Sequence, residues 1–301
     1  MKKITSKLSF GAIAVTALAT VISLGSCSKN SSNSKPPPVL IGGYASSDSV
    51  AAANLVAYWP FDGDANDHKG NATATSSGVT YGAGMRGQAY QGATGAYATL
   101  TPSAAFSSLP SYSLSMWYKM AAQQPDGDPG GLFFLAGTNT LNELIYEIEP
   151  FHPVSNDSVK IHHGFTDLGS PAYQGFTMES FDTAAIGKWV HVVTTYDGGS
   201  STYVVYQNGV PINNSSAFGV NLSTAMWTDG SKTTPLGNLS FASDPPKTIY
   251  IGTWPPTLYG VSPSLGANGC FNGQIDELKI FNKALSQQEV AGLFLNGQAG
   301  R

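Results

Sequence analysis

The sequence predicts an all-β fold, an antiparallel sandwich that carries one short helix near its C-terminal end. Three observations lead there. Short apolar runs recur between Gly, Pro and Asn, with no long helical pattern among them. Two of these runs, WVHVVTTY at 189–196 and TYVVYQ at 202–207, flank a Gly-rich connection and are followed by a tight Asn208-Gly209 turn, a strong hairpin signal. The 301 residues are 42% hydrophobic but only 11% charged, with 34 glycines, so a core can be filled while the surface is mostly uncharged.

The chain begins as an export signal. Lys2, Lys3 and Lys7 precede an apolar run over 8–24 that is too short, and too soon followed by polar sequence, for a spanning helix. The run ends in Leu24-Gly25-Ser26-Cys27, which resembles the lipobox of bacterial lipoproteins. That resemblance implies cleavage after Ser26 and a lipid on Cys27. It places the protein at the bacterial cell envelope, anchored in the outer membrane, with its face undecided. An ordinary secretory signal with a chance cysteine is the competing reading. Loss of residues 1–26 removes three lysines and no acid, so the exported part is more acidic than the formal charge of −4. With no basic cluster there is no electrostatic footprint for nucleic acid. Cys270 is then the remaining thiol, and beside Phe271 it reads as a small buried hydrophobe.

Residues 27–53 read as the lipidated cysteine and a Ser- and Pro-rich tether, stiffened at Pro36, Pro37 and Pro38. The globular domain is placed at 54–298, as one domain. Its first strand is 55–61, with Pro60 marking an edge or an end. The loop that follows, DGDANDHKGN at 62–71, is dense in oxygen donors but is not an EF-hand: Asp67 and Thr73 stand where the glycine and the glutamate belong. A turn whose Asp and Asn side chains bond their own backbone, and a metal loop, both stay open. Further strands are expected at 88–90, 97–100, 112–120, 132–136, 144–149, 159–165, 175–178 and 248–252.

Two irregular stretches, 217–247 and 253–260, carry Trp227, Trp254 and Tyr259. Long loops in compact domains are often functional. These three aromatics are the candidate ligand-binding residues, against the alternative that they plug the sandwich edge. Trp117, inside a strand motif, is expected to pack.

The segment FNGQIDELKIFNKALSQQEV at 271–290 joins the last strand to the helix. Taken as a regular strand, it sets Asp276 on one face with Leu278 and Ile280, and Ile275, Glu277, Lys279 and Phe281 on the other. A carboxylate among aliphatics needs hydrogen bonds, a cation or a metal. Ser286 and Glu289 match a capping box, Val290, Leu293 and Phe294 follow at helical spacing, and Gly297 is a stop.

The motifs LVAYWPFDGDANDHKGN, YSLSMWYKM, GKWVHVVTTYDG with TYVVYQNGVPI, and the 271–290 segment, in this order, resemble the laminin-G-like jelly rolls of bacteria, within the wider concanavalin A-like lectin and glucanase group. The resemblance covers 55–295, although 126–178 and 217–247 match nothing specific. It implies a concanavalin A-like jelly roll of two stacked sheets whose first and last strands are close. It also implies Ca2+, held by the aspartate after the first strand, Asp62, and the one in the last strand, Asp276. Hydrogen bonds from backbone or hydroxyls to Asp276 are the alternative.

Glucanases of the group space three carboxylates along one strand face. Here Glu147 and Glu149 share a face, but Phe151 or His152 stands in the third place, so the pair reads as a solvated strand face and no catalytic residue is assigned. His162 and His163 are adjacent and point to opposite faces, and His191 reads as a hydrogen-bonded packing residue. The expected function is a non-catalytic envelope module binding a polysaccharide, a glycoconjugate or a surface protein partner. A glycoside hydrolase or lyase, and a structural or adhesive protein, are the alternatives.

Overall fold

The computed structural model describes residues 38–124, 129–138, 143–149, 159–165, 176–180, 185–212, 237–241, 244–255 and 269–301, which fall in one compact unit beginning at Pro38. The readings of the export signal, Cys27, Trp227 and Tyr259 lie outside the described residues, as does the side chain of Glu149.

Two sheets form the sandwich, with strands numbered in chain order. The first runs β13 (Val210–Pro211), β12 (Thr202–Gln207), β11 (Trp189–Asp197), β6 (Tyr112–Lys119), β15 (Gln274–Phe281), β4 (Gln88–Gln91) and β3 (Thr80–Ala83), with β1 (Leu55–Trp59) also paired to β15. The second runs β10 (Phe176–Ser180), β9 (Val159–Phe165), β8 (Leu144–Glu149), β7 (Gly130–Ala136), β14 (Thr248–Ile251), β5 (Tyr97–Pro102) and β2 (Ala72–Ser77). The strand pairs are antiparallel, and the first and last strands are neighbours, as expected. Between the sheets lie Trp59, Phe61, Tyr118, Phe133, Phe241 and Ile280, all fully buried. Each such side chain contributes about 1.5–3 kcal/mol by leaving water. The expected strands are found within two residues of their ends, whereas β2 and β3 were not foreseen, because ATATSS and TYGA lack a strong apolar face.

Two expectations are corrected. Residues 38–53 are part of the fold. Short 3-10 turns at Ser47–Ser49 and Ala52–Asn54 lay this strap on the first sheet, with Val50 buried. The strap also bonds the helix α1 (Gln287–Gln298) and the residues after it: Asn296 Nδ2 donates to Ile41 O at 2.8 Å, and Ser47 N donates to Arg301 O, past the helix end, at 3.0 Å. Its Ser-rich composition hides this, since its apolar anchors are only the buried Val50 and the half-buried Tyr44 and Ala51, beside a run of polar contacts. The helix has the foreseen capping box and packs Val290 and Leu293 onto Phe281 and Val50.

The second correction concerns β15, which is not regular. Glu277 has φ of +50°, and the pairing with β6 slips between Asp276 and Lys279. Such a bulge adds one residue and shifts the alternation. Ile275, Leu278 and Ile280 therefore face the core together, and Asp276 is turned to the outer face with Glu277 and Lys279. β4 pairs β15 before the bulge and β1 pairs it after.

Candidate functional site

Asp62 and Asp276 meet on one turn, the β3–β4 connection. Asp276 Oδ2 accepts the N–H groups of Met85 at 2.7 Å and Arg86 at 3.0 Å, and Oδ1 accepts that of Glu277 at 2.8 Å. Asp62 Oδ1 accepts the N–H of Gln88 at 2.7 Å. Gly87 has φ of +65°, and a Cβ there would strike Asp62 Oδ1, so the turn needs glycine at that place. The carboxylate thus has backbone partners, and burial still pushes the Asp276 carboxyl up to about 7 against their pull. For calcium the corner offers two carboxylates. Among the described residues no group of three or more His, Cys, Asp or Glu side chains gathers, so carbonyls and water would complete a shell of about six to eight oxygens.

The rest of the 62–71 loop takes the turn form. Asp67 accepts the N–H groups of Tyr58, Lys69 and Asn71 at 2.7–2.9 Å, and Asp64 accepts that of Asn66 at 2.8 Å.

The outer face of the second sheet is of another kind. Ala98, Leu100, Ile249 and Ile251 point into the core, so Tyr97, Thr99, Thr101 and Tyr250 point outward with Thr73 and Thr75. Register sets Thr75, Thr99 and Tyr250 in one row, and Phe134 lies directly across from Tyr250. The Trp254 ring packs on Phe134, with centroids 5.5 Å apart. Thr73, Thr75 and Thr101 are exposed, and Tyr97, Thr99, Tyr250 and Trp254 are half-buried. β2, β5 and β14 contain no charged residue. The result is an open strip of hydroxyls ending in an aromatic step. Of the three foreseen aromatics, Trp254 belongs to this strip. Tyr97 and Tyr250 were missed, although the alternation in YATL and TIYI already sets them opposite core aliphatics.

The other half of this face is buried, which corrects the reading of Glu147 as solvated. Glu147 is 3% exposed and its Oε1 lies 2.9 Å from Nδ1 of His162, itself 4% exposed. Glu143, at the head of β8, is buried too. Burial, with the charge of Asp244 beside it, pushes its carboxyl up to about 9. His163 points to the core, opposite to His162, with Nδ1 2.9 Å from the Tyr203 hydroxyl, and burial pushes its ring down to about 3. His191 has the packing role: Nε2 is 2.9 Å from Ser115 Oγ, and the ring lies against Trp117 and Phe294. Burial, and then the charge of Lys279, bring it to about 3 as well. Cys270 is buried and in no disulfide.

No curated protein matches the chain in sequence. Solved structures do match in fold. Domain 4 of an extracellular arabinanase from Geobacillus stearothermophilus, in complex with arabinotriose, is 21% identical with a TM-score of 0.51, over 80% of this chain and 98% of that one. The binding domain of botulinum neurotoxin DC is 15% identical with a TM-score of 0.52, over 82% of this chain. A sialidase from Trypanosoma rangeli is 18% identical with a TM-score of 0.52, also over 82%. The match spans 52% of the neurotoxin chain and 33% of the sialidase chain. The two stacked sheets agree with a family model that matches residues 92–242, and the chain belongs to that laminin G family of the concanavalin A-like lectin/glucanases superfamily.

Proposed function

We propose that the protein is a non-catalytic glycan-binding module of the bacterial cell envelope, anchored through a lipid on Cys27. The observation that carries the reading is the uncharged strip over β2, β5 and β14, which leads from Thr75 and Thr99 through Tyr250 to the ring of Trp254. Sugar rings need flat apolar surfaces and their hydroxyls need polar partners, and the strip supplies both without a charge that would demand a charged ligand. The arabinanase domain, solved with arabinotriose, supports a neutral glycan as the ligand class. In favour of a non-catalytic role, Glu147 is held by His162 and buried, whereas a hydrolytic carboxylate must reach its substrate.

Retention on immobilised neutral polysaccharides, arabinan first, tests this. Tyr250→Ala and Trp254→Ala are expected to lose retention with an unchanged fold, and normal retention by both would remove the strip from the reading. Product release from the same polysaccharides would refute the non-catalytic part. Calcium at Asp62 and Asp276 is part of the proposal. It rests on two carboxylates sharing one turn, and chelator should lower the melting temperature of the wild type by more than that of Asp276→Asn. Cys27→Ser should abolish lipid labelling in cells.

A further inference from the structure

We infer that Glu143 and Asp244 form a second site for a hard divalent cation, with calcium as the fitting ion, at one end of the second sheet. The register places both residues there. Leu144 pairs with Leu135, so Glu143 stands beside the end of β7. Thr248 pairs with Ala136, and Lys247 N donates to Ala136 O at 2.7 Å, so the segment entering β14 arrives at the same end. Thr138 N donates to Asp244 Oδ1 at 2.8 Å. Glu143 and Asp244 therefore flank Gly137 and Thr138.

Three observations give this end the chemistry of a cation site. Glu143 is 2% exposed, and neither of its carboxyl oxygens has a hydrogen-bond partner among the described residues. A buried carboxyl is normally answered by donors, a cation or a metal, and among the described residues no donor answers it. Second, Gly137 leaves a cradle: a Cβ on it would strike Asp244 Oδ2. Third, the carbonyl oxygen of Asp244 lies 2.8 Å from that same Cβ position, so a neutral oxygen joins the two acidic groups. Carboxylates with a carbonyl are the donor set of calcium, whose shell of about six to eight oxygens tolerates irregular loops and takes its remaining ligands from water. Neither residue belongs to the strip or to the Asp62 and Asp276 corner, so the site stands independently of the glycan reading.

The test is isothermal titration of the chelator-treated full chain with calcium chloride. A binding step is expected that weakens roughly tenfold or more in Glu143→Gln and in Gly137→Ala but persists in Asp276→Asn. Glu143→Gln keeps the shape of the side chain, and a wild-type circular dichroism spectrum in chelator shows that it folds. Should it not fold, Asp244→Asn reads the same step. Unchanged calcium affinity and stoichiometry in the folded variant, or no binding by the wild type at millimolar calcium, would overturn the proposal.

Discussion

On the outer face of the first sheet, charges are buried and paired beneath a strap and a helix; on that of the second, three neighbouring strands carry no charge and stay open to water. Under the strap, Lys279 Nζ donates to Glu277 Oε2 at 2.8 Å, to Ser47 Oγ at 3.1 Å and to Asp48 Oδ1 at 3.2 Å. Arg86 donates to both Asp48 oxygens and to the Tyr58 hydroxyl. The charged groups there answer one another within the chain. Thr73, Thr75 and Thr101, in contrast, leave their hydroxyls to whatever the solvent holds. The same sandwich thus spends one face on holding the strap and the helix and leaves part of the other open to water.

Acid should separate the two faces most strongly. His163 and His191 ionise near pH 3 in the fold and near their ordinary 6.5 when unfolded. The unfolded chain therefore takes up protons first as pH falls, so the stability due to the neutral rings is complete above pH 6.5 and is lost between 6.5 and 3. This amounts to on the order of 3 kcal/mol per histidine by pH 4. In the calcium-free protein Asp276 and Glu143, raised to about 7 and 9, act with the opposite sign, gaining stability as pH falls below those values. Urea unfolding at pH 7, 5.5 and 4 should show a shallower acid loss in His191→Gln than in the wild type. β2, β5 and β14 carry no carboxylate and no histidine. Glycan retention should accordingly stay constant with pH for as long as the protein is folded, and a fall in retention before unfolding would break the contrast.

Lys279→Ala comes next. It leaves Glu277, 4% exposed, without its nearest cation. Removing one partner of a buried pair costs about 3–5 kcal/mol, and ~3 is expected here, because Arg86 Nε still lies 3.3 Å from Glu277 Oε1. Urea midpoints measure it. The same variant should retain glycan normally, since Lys279 lies on the other sheet.

The sandwich, the hairpins and the capped helix were legible because periodicity and turn residues are local signals. The proximity of Asp62 and Asp276 was legible only through the resemblance, and the face of Asp276 was misread, because a bulge at Glu277 follows from no propensity of the sequence Asp-Glu-Leu. The strap was hidden for a related reason. Ser47 and Asp48 hold it through contacts with Arg86 and Lys279, residues far along the chain that no window of sequence brings together. Glu147 looked solvated because its strand alternates, yet alternation states only which face a side chain takes, and that half of the face is covered.

Two tyrosines carry the smallest and sharpest test. The Tyr58 hydroxyl donates to Glu277 Oε1 at 2.6 Å and accepts from Arg86 at 2.7 Å. Tyr58→Phe removes one hydrogen bond from each, while Arg86 keeps Asp48 and Glu277 keeps Lys279, and it should cost about 1–3 kcal/mol, with retention on polysaccharide unchanged. Tyr250 sits half-buried in the open strip. Tyr250→Phe should change stability by no more than about 0.5 kcal/mol, while weakening retention by the loss of one hydroxyl. Thermal melts and retention volumes on the two variants should therefore give opposite patterns from one and the same chemical change. If Tyr58→Phe loses retention, or Tyr250→Phe loses stability, the division of labour between the faces fails, because a single hydroxyl would then serve both the fold and the ligand.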